Sequence, residues 1–567
     1  MHHPWAQPIL QRVRDMIWRD HSPGTVLEEH LAEPLPVCEG WLPACWSPST
    51  AKSPLFDLPT EILEHIVDKM SRLDLAAFSL VNSDCRGLVR TRQFASLTIR
   101  FDRAGERSKG HSMLAYLCRE VRGTLQVADS RLLPIHKSIR YLNIVIGLSH
   151  RDLNIFEAPI QRYLGVESQY QYLTPASYTG LLYLIQRLPN LTTFSCRNLP
   201  PWTASADLLS RMQLKSLVHL KLVNCEGDDT RTLCRLARPM PRSWPLQTLH
   251  LVAPAECPLS AHVACVYMLQ AACLNLKRLY LENYDFSRPW QELRKALQGL
   301  TLPFLEQLQL VRTQLCPETH HAILDTSKFL VHVKVINGDS ATEYYNIPSL
   351  TSIHVSNSTE WRRSGSRRMR YHKSFNDLVS NNPQIAAIET SGSSMKRMAV
   401  EQFLDMVVSH IPELTSLSFN IRQVRFGQYQ MMYKWNWELI SRLQRLQRLR
   451  ISGVTISRRL KHGGVRNCLA SLQDLNTLIL HDTTCTNESA EKKEEDYRIV
   501  VEEVKELSRL LPKLELMALR YYVFRIVRDA DGSIEARRLL TPIGDLEKLF
   551  VDGAGFKGNT GSWTSAY

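Results

Sequence analysis

The chain has 567 residues, too many for one ordinary hydrophobic core, so several domains or a repeat array are expected. Its 44% apolar and 22% charged residues are those of a folded chain and exclude a low-complexity one. Lys and Arg outnumber Asp and Glu by 69 to 56, a net charge of +13, which is compatible with an acidic partner but does not by itself indicate nucleic acid.

Thirteen cysteines occur with no CxxC pair, as expected of free thiols in a cytoplasmic and/or nuclear protein. Near the N-terminus, Ile9, Val13 and Ile17 recur every four residues beside Arg12, Arg14 and Arg19. Asp15 and Asp20 argue against a transit peptide, and a small docking helix or frayed end is the expectation. Residues 1–52, rich in Pro and Trp, read as a weakly ordered segment.

Residues 53–93 read as a helical domain. Asp57 and Pro59 give a helix-start signal, and Glu61 suits the positive end of the helix dipole. Ile62, Leu63, Ile66, Val67 and Met70 then fall on one helical face. Ser71 and Asp74 fit a cap for a second helix, with Leu75, Phe78 and Leu80 expected inward. Asn82-Ser83-Asp84 breaks it, and Cys85, Leu88 and Val89 begin a third. Three such short helices cannot bury all this apolar surface alone, so the unit needs a partner.

The segment resembles an F-box of the kind common in fungal proteins. Leu58-Pro59, Glu61-Ile62-Leu63, Ile66, Asp74-Leu75 and Leu80-Val81 carry the resemblance over about 40 residues. One departure is Cys85, near where the family often has Trp, and a weaker third helix is expected there. The resemblance implies binding to the small Skp adaptor of a cullin-RING ubiquitin ligase through Leu58, Pro59, Ile62, Leu63, Ile66, Leu75 and Val81. A helical cap that binds no adaptor is the alternative.

Residues 94–135 read as a connecting strand, Leu97, Ile99 and Phe101 alternating, and a linker. From residue 136 to 555 an L-x-x-L-x-L pattern recurs, beginning at Ile139-Leu142-Ile144 and Leu191-Phe194-Cys196. Clear copies include Leu217-Leu220-Leu222, Leu246-Leu249-Leu251, Leu276-Leu279-Leu281, Leu305-Leu308-Leu310, Leu446-Leu449-Ile451 and Leu475-Leu478-Leu480. Ile385-Ile388-Thr390 is weak, and Leu546-Leu549-Val551 is the last. After Leu191 the spacing runs from 20 residues (Leu330 to Leu350) to 39 (Leu475 to Leu514). That is the period of a degenerate leucine-rich repeat. The interval from Ile139 to Leu191 is long enough to hide a further repeat or an insertion. Pro189, Pro303, Pro348, Pro383, Pro412 and Pro512 precede strands, where helices end. The expected fold class is therefore α/β: a short three-helix F-box followed by an irregular leucine-rich-repeat horseshoe, a solenoid, ending in a flexible tail over 556–567.

In such a strand the leucines at positions 1, 4 and 6 point inward, so positions 3, 5 and 7 line the concave face. The charges expected there are Arg197, Lys221, Arg278, Lys334, Arg448, Arg450, Arg520 and Lys548, against Glu282, Glu389 and Asp552: eight minus three, or +5. Five histidines join them, His219, His250, His332, His354 and His481. The candidate substrate-binding residues are Lys221, Arg278, Lys334, His354, Arg448, Arg450 and Arg520, for an acidic or phosphorylated protein segment. Solvated strand residues with no ligand are the alternative.

Trp361 to Lys373 reads as a basic surface loop, with a nuclear address or a phosphate-binding loop as alternatives, and Glu491 to Leu511 as a convex helix with Val501, Val504, Leu507 and Leu511 on one face. Cys257 to Leu276 lacks acidic and basic residues, but its Pro, Ser, His and Gln make it a buried helix plus loop rather than a membrane span.

Enzyme signatures do not survive inspection. Gly553 to Gly558 fits G-x-G-x-x-G, yet only nine residues follow, too few for a dinucleotide site. Cys257, His262, Cys265 and Cys273 lack a zinc spacing, and Asp529 to Gly532 reads as a hairpin turn between Tyr521–Val527 and Ile534–Leu540 rather than a calcium loop. No cofactor, metal, membrane or catalytic residue is expected, and without a row of stacking aromatics nucleic acid is an unfavoured ligand. The function expected is substrate recognition within an SCF-type ligase. The alternatives are an F-box scaffold without ligase function and a basic repeat protein binding nucleic acid.

Overall fold

A computed structural model describes residues 55, 58–101, 104–123, 134–146, 175–198, 216–224, 244–254, 259–286, 300–315, 323–324, 326–336, 347–356, 379–391, 397–420, 437–452, 463–481, 490–520 and 522–539. The N-terminal segment, the basic loop at 361–373, the repeat at 546–551, the G-x-G-x-x-G match and the tail lie outside the described residues. Two compact units divide at Asn275 and Leu276.

The first unit opens with three helices, α1 (Thr60–Lys69), α2 (Arg72–Phe78) and α3 (Ser83–Gln93). Ser71 and Asp74 form a reciprocal capping box on α2, and the Asn82 side chain accepts the Cys85 amide at the start of α3. The third helix is thus fully formed. Cys85 is buried in it, and that burial, with Asp84 alongside, raises its thiol pKa.

Next come β1 (Ser96–Arg100), α4 (Ala104–Val121), α5 (Ile135–Ser138), β2 (Tyr141–Val145) and α6 (Pro175–Ile185). The unit continues with β3 (Thr193–Arg197), β4 (His219–Val223), β5 (Thr248–Val252) and α7 (Leu259–Ala272). The five strands are parallel and in register, so Leu142, Phe194, Leu220 and Leu249 form one row of side chains. All four are fully buried, each Leu contributing about 1.5–3 kcal/mol of transfer free energy. Two expectations change here. The strand at Leu97–Ile99, read as part of a connector, is the first strand of the sheet, paired directly with β2. And β2 pairs directly with β3, so no repeat strand is interposed between Ile139 and Leu191.

In the second unit nine parallel strands lie side by side in chain order. They are β6 (Arg278–Glu282), β7 (Gln307–Val311), β8 (His332–Ile336), β9 (Ser352–Ser356), β10 (Ala387–Ser391), β11 (Ser416–Asn420), β12 (Arg448–Ser452), β13 (Thr477–His481) and β14 (Leu516–Leu519). The weak match at Ile385 is a full member, since β10 pairs on both sides. Helices α8 (Arg397–His410), α9 (Trp437–Ser441), α10 (Gly463–Ala470) and α11 (Ala490–Leu510) occupy the stretches between β10 and β14. On α11, Val500, Val504, Leu507 and the following Leu511 are buried, with Val501 at the margin of that face.

After β14 the direction reverses. β15 (Tyr522–Arg528) and β16 (Ile534–Leu539) run antiparallel, joined by a turn in which Gly532 takes a positive φ that Gly tolerates best. The hairpin expected around Asp529 to Gly532 is present. No described helix is long and apolar enough to cross a membrane.

A feature absent from the sequence reading caps the strands. Asn198 and Asn224, just past β3 and β4, take left-handed φ values of 59° and 52°, a region Asn tolerates. The Asn224 amide group donates to Asn198 Oδ1 at 3.1 Å, and that of Asn198 donates to the Ile146 carbonyl at 2.8 Å. The ladder continues the sheet bonding one residue beyond the strands.

Candidate docking surfaces

The helical unit at 58–93 sorts its apolar residues into two sets. Leu63, Val67, Leu75, Leu88 and Val89 make a closed core, with Leu55, Met70 and Phe78 packed against it. An ion pair ties the helices together, Arg92 Nε lying 3.0 Å from Asp68 Oδ1. The second set faces outward: Leu58, Ile62, Ile66, Leu73, Leu80 and Val81 all stay exposed, Leu80 and Val81 at 62% and 67%. Leu58, Ile62 and Ile66 stand four residues apart, so on α1 and the turn before it they form a single stripe. Leu80 and Val81 sit on a turn held by their amides, which bond to the Ala77 and Phe78 carbonyls, and Arg86 reaches back to the Ser79 carbonyl.

This placement divides the expected adaptor contacts. Leu58, Pro59, Ile62, Ile66 and Val81 are exposed and available to a partner. Leu63 and Leu75 are not: both are buried, and their work is to hold the three helices together. Leu80, expected inward, points outward instead. The apolar positions of α1 span more than one face, and only the packing shows which side closes first.

On strands β2 to β14, position 4 is buried as expected and so is position 6 among the described side chains apart from the half-buried Thr390, while position 5 is not uniform. The position-5 row of the second unit is Tyr280, Gln309, Lys334, His354, Glu389, Ser418, Arg450, Ile479 and Ala518, aligned strand by strand. Tyr280, Gln309 and Lys334 are partly exposed, whereas from His354 to Ala518 the row is buried. Ile479 and Ala518 join Val523 in a small apolar cluster with Leu516 and Leu539.

The expected cationic face is therefore partly self-neutralised. Glu389 lies 3.1 Å from His354 Nδ1 and 3.3 Å from Arg450 Nη1, all three side chains nearly inaccessible. Burial pushes the Glu389 carboxyl up, but His354, Arg450 and Lys334 outweigh it and hold it below the ordinary value. His354 is pulled down by burial against the opposing pull of Glu389. Arg520, at a left-handed φ of 58°, pairs with Asp496 of α11. So His354, Arg450 and Arg520 correct the sequence reading, because each has its counter-charge within the fold. Arg278 and Lys334 stay partly exposed, and so does Arg448, whose guanidinium burial shifts below its usual value.

Lys221 belongs to the first unit, in register with His250 of β5. Burial, then the Lys221 charge, lowers the pKa of His250 to about 2, so its ring is neutral at physiological pH. Among the described residues no group of three or more His, Cys, Asp or Glu is placed to hold a metal ion.

Compared with protein families, residues 55–97 match the F-box domain. F-box domains bind the Skp adaptor within cullin-RING ligases, and the match covers the same helices that carry the exposed stripe. Compared with curated proteins, the chain matches none.

Proposed function

We propose that the chain is the substrate-recognition subunit of an SCF-type ubiquitin ligase. The observation that carries the reading is the coincidence of the F-box match with apolar surface that its own helices leave open. Leu58, Pro59, Ile62, Ile66 and Val81 would seat the Skp adaptor, joined by Leu80 of the same turn. Several exposed apolar side chains on one small helical unit are the kind of surface that marks an interaction site rather than an isolated surface leucine. We read the strands as degenerate leucine-rich repeats that hold a protein substrate. The partly exposed face of β6 to β8, with Arg278, Tyr280, Gln309 and Lys334, is the part of the sheet we assign to that contact.

In this reading the chain contributes proximity. It brings a bound protein within reach of a conjugating enzyme carried elsewhere on the ligase, and the chemistry belongs to that enzyme. Reconstitution tests it. With purified adaptor, cullin and conjugating enzyme, the full chain should assemble and direct ubiquitin onto a protein captured by the chain lacking residues 55–89. Assembly without transfer to any captured protein would instead support a scaffold, and failure to bind the adaptor would end the proposal.

A further inference from the structure

A second surface is built on the helices that follow the F-box. Helices α4 and α6 cross closely where Cys118 Sγ donates to the Gly180 carbonyl at 3.3 Å. A Cβ at Gly180 would meet the Cys118 sulfur at 3.4 Å, an ordinary van der Waals contact. One turn further along each helix, the crossing brings three side chains together. Arg122 lies over the Tyr183 ring with its guanidinium carbon 5.1 Å from the centroid, and Arg187 lies against the same ring at 5.7 Å.

Two full positive charges thus share one aromatic ring, and both arginines are exposed. Among the described residues neither forms an ion pair with a carboxylate. Arg119, three residues before Arg122, is also exposed but has interactions of its own. The acid between them in sequence is turned away. Glu120 is buried and engaged, accepting the amides of Ile135 and His136 at 2.9 Å each. Helix C-termini tolerate cations, which accounts for one arginine at each end, but not for two converging on one ring.

We infer that Arg122, Arg187 and Tyr183 form a binding surface for an acidic polypeptide segment. Planar guanidinium groups recognise carboxylates and phosphates in a bidentate way, and stacking on Tyr183 fixes the orientation of both in advance. Nucleic acid fits less well, because duplex binding draws on a longer run of phosphate contacts than two arginines offer. A lipid surface fits less well too. The exposed large apolar residues described in this unit are those of the F-box and Leu274, and none of them lies on α4 or α6 to enter a membrane beside the arginines.

Fluorescence anisotropy on the full chain tests the surface, with a labelled polyglutamate peptide as probe at low and high salt. The peptide should bind saturably and lose affinity as salt rises, and Arg122→Gln with Arg187→Gln should weaken it by about tenfold. Adaptor binding by the same variant should be unchanged, which shows that the fold is intact. Should the variant fail to fold, the single changes Arg122→Lys and Arg187→Lys replace it. These keep the charge but lose the planar group, and each should weaken binding. Equal affinity of wild type and variant, absence of saturable binding, or tighter binding of a DNA duplex or of phosphatidylserine vesicles would overturn the assignment.

Discussion

The F-box helices and the strand rows use the same residue types to opposite ends. On the strands, Leu142, Leu220, Leu249, Leu308 and Leu310 are all buried, each strand covering its neighbour. On the helices, Leu63 and Leu75 are buried while Ile62, only one residue from Leu63, is 48% exposed. Parallel strands in register can satisfy their apolar residues by stacking them in rows. A unit of three short helices has too little interior to do so, and what remains outside is the surface on which a partner can close.

The sharpest ways to break this contrast act on its buried side. Replacing Glu389 by Ala should destabilise the second unit by about 3–5 kcal/mol, because buried Arg450 and His354 would lose the carboxylate between them. Chemical denaturation would show it as a fall in midpoint, and a neutral outcome would mean that the cluster is solvated. Next, Leu63→Ala should cost about 2–5 kcal/mol of stability, read in the same way, whereas Ile62→Ala should leave the midpoint nearly unmoved.

A smaller effect concerns acid. The His250 pKa is depressed from 6.5 to about 2, so the unfolded chain binds a proton that the folded chain refuses. The stability this confers is complete above pH 6.5 and is lost as pH falls from there towards 2. The slope is at most about 1.4 kcal/mol per pH unit for this group. His250→Gln should flatten the acid limb of a stability–pH curve by one proton. An unchanged limb would show that the ring is protonated in the fold.

The smallest expected effect tests the strand caps. Asn224→Ala removes the side-chain bond to Asn198 and places Ala at a positive φ, which should lower stability by about 1–2 kcal/mol. Thermal unfolding would read it as a modest shift.

Much of this was legible beforehand for physical reasons. The L-x-x-L-x-L spacing located the strands because positions 4 and 6 must meet the core, and the Leu58-Pro59 opener with the Ser71 and Asp74 pair located the helices. What escaped the sequence depended on distant partners. Nothing local says that Glu389 meets Arg450 across an intervening strand, or that Arg520 meets Asp496, so a row of cations looked open when part of it was already neutralised. The division of Ile62 from Leu63 escaped too, since periodicity places both near one face and only the packing of α3 decides which is covered. The asparagine caps did carry a signal. Asn198 and Asn224 occupy the same place after successive strands, and that repetition outside the leucine pattern was there to be read.

The most direct test is the affinity of purified Skp adaptor for the full chain and for the variant Ile62→Asp with Val81→Asp. Both residues are exposed and outside the helical core. The wild type should bind, and the variant should lose about a hundredfold or more in affinity while unfolding at the same midpoint. Equal binding by the two proteins would contradict the claim that this open apolar surface is what docks.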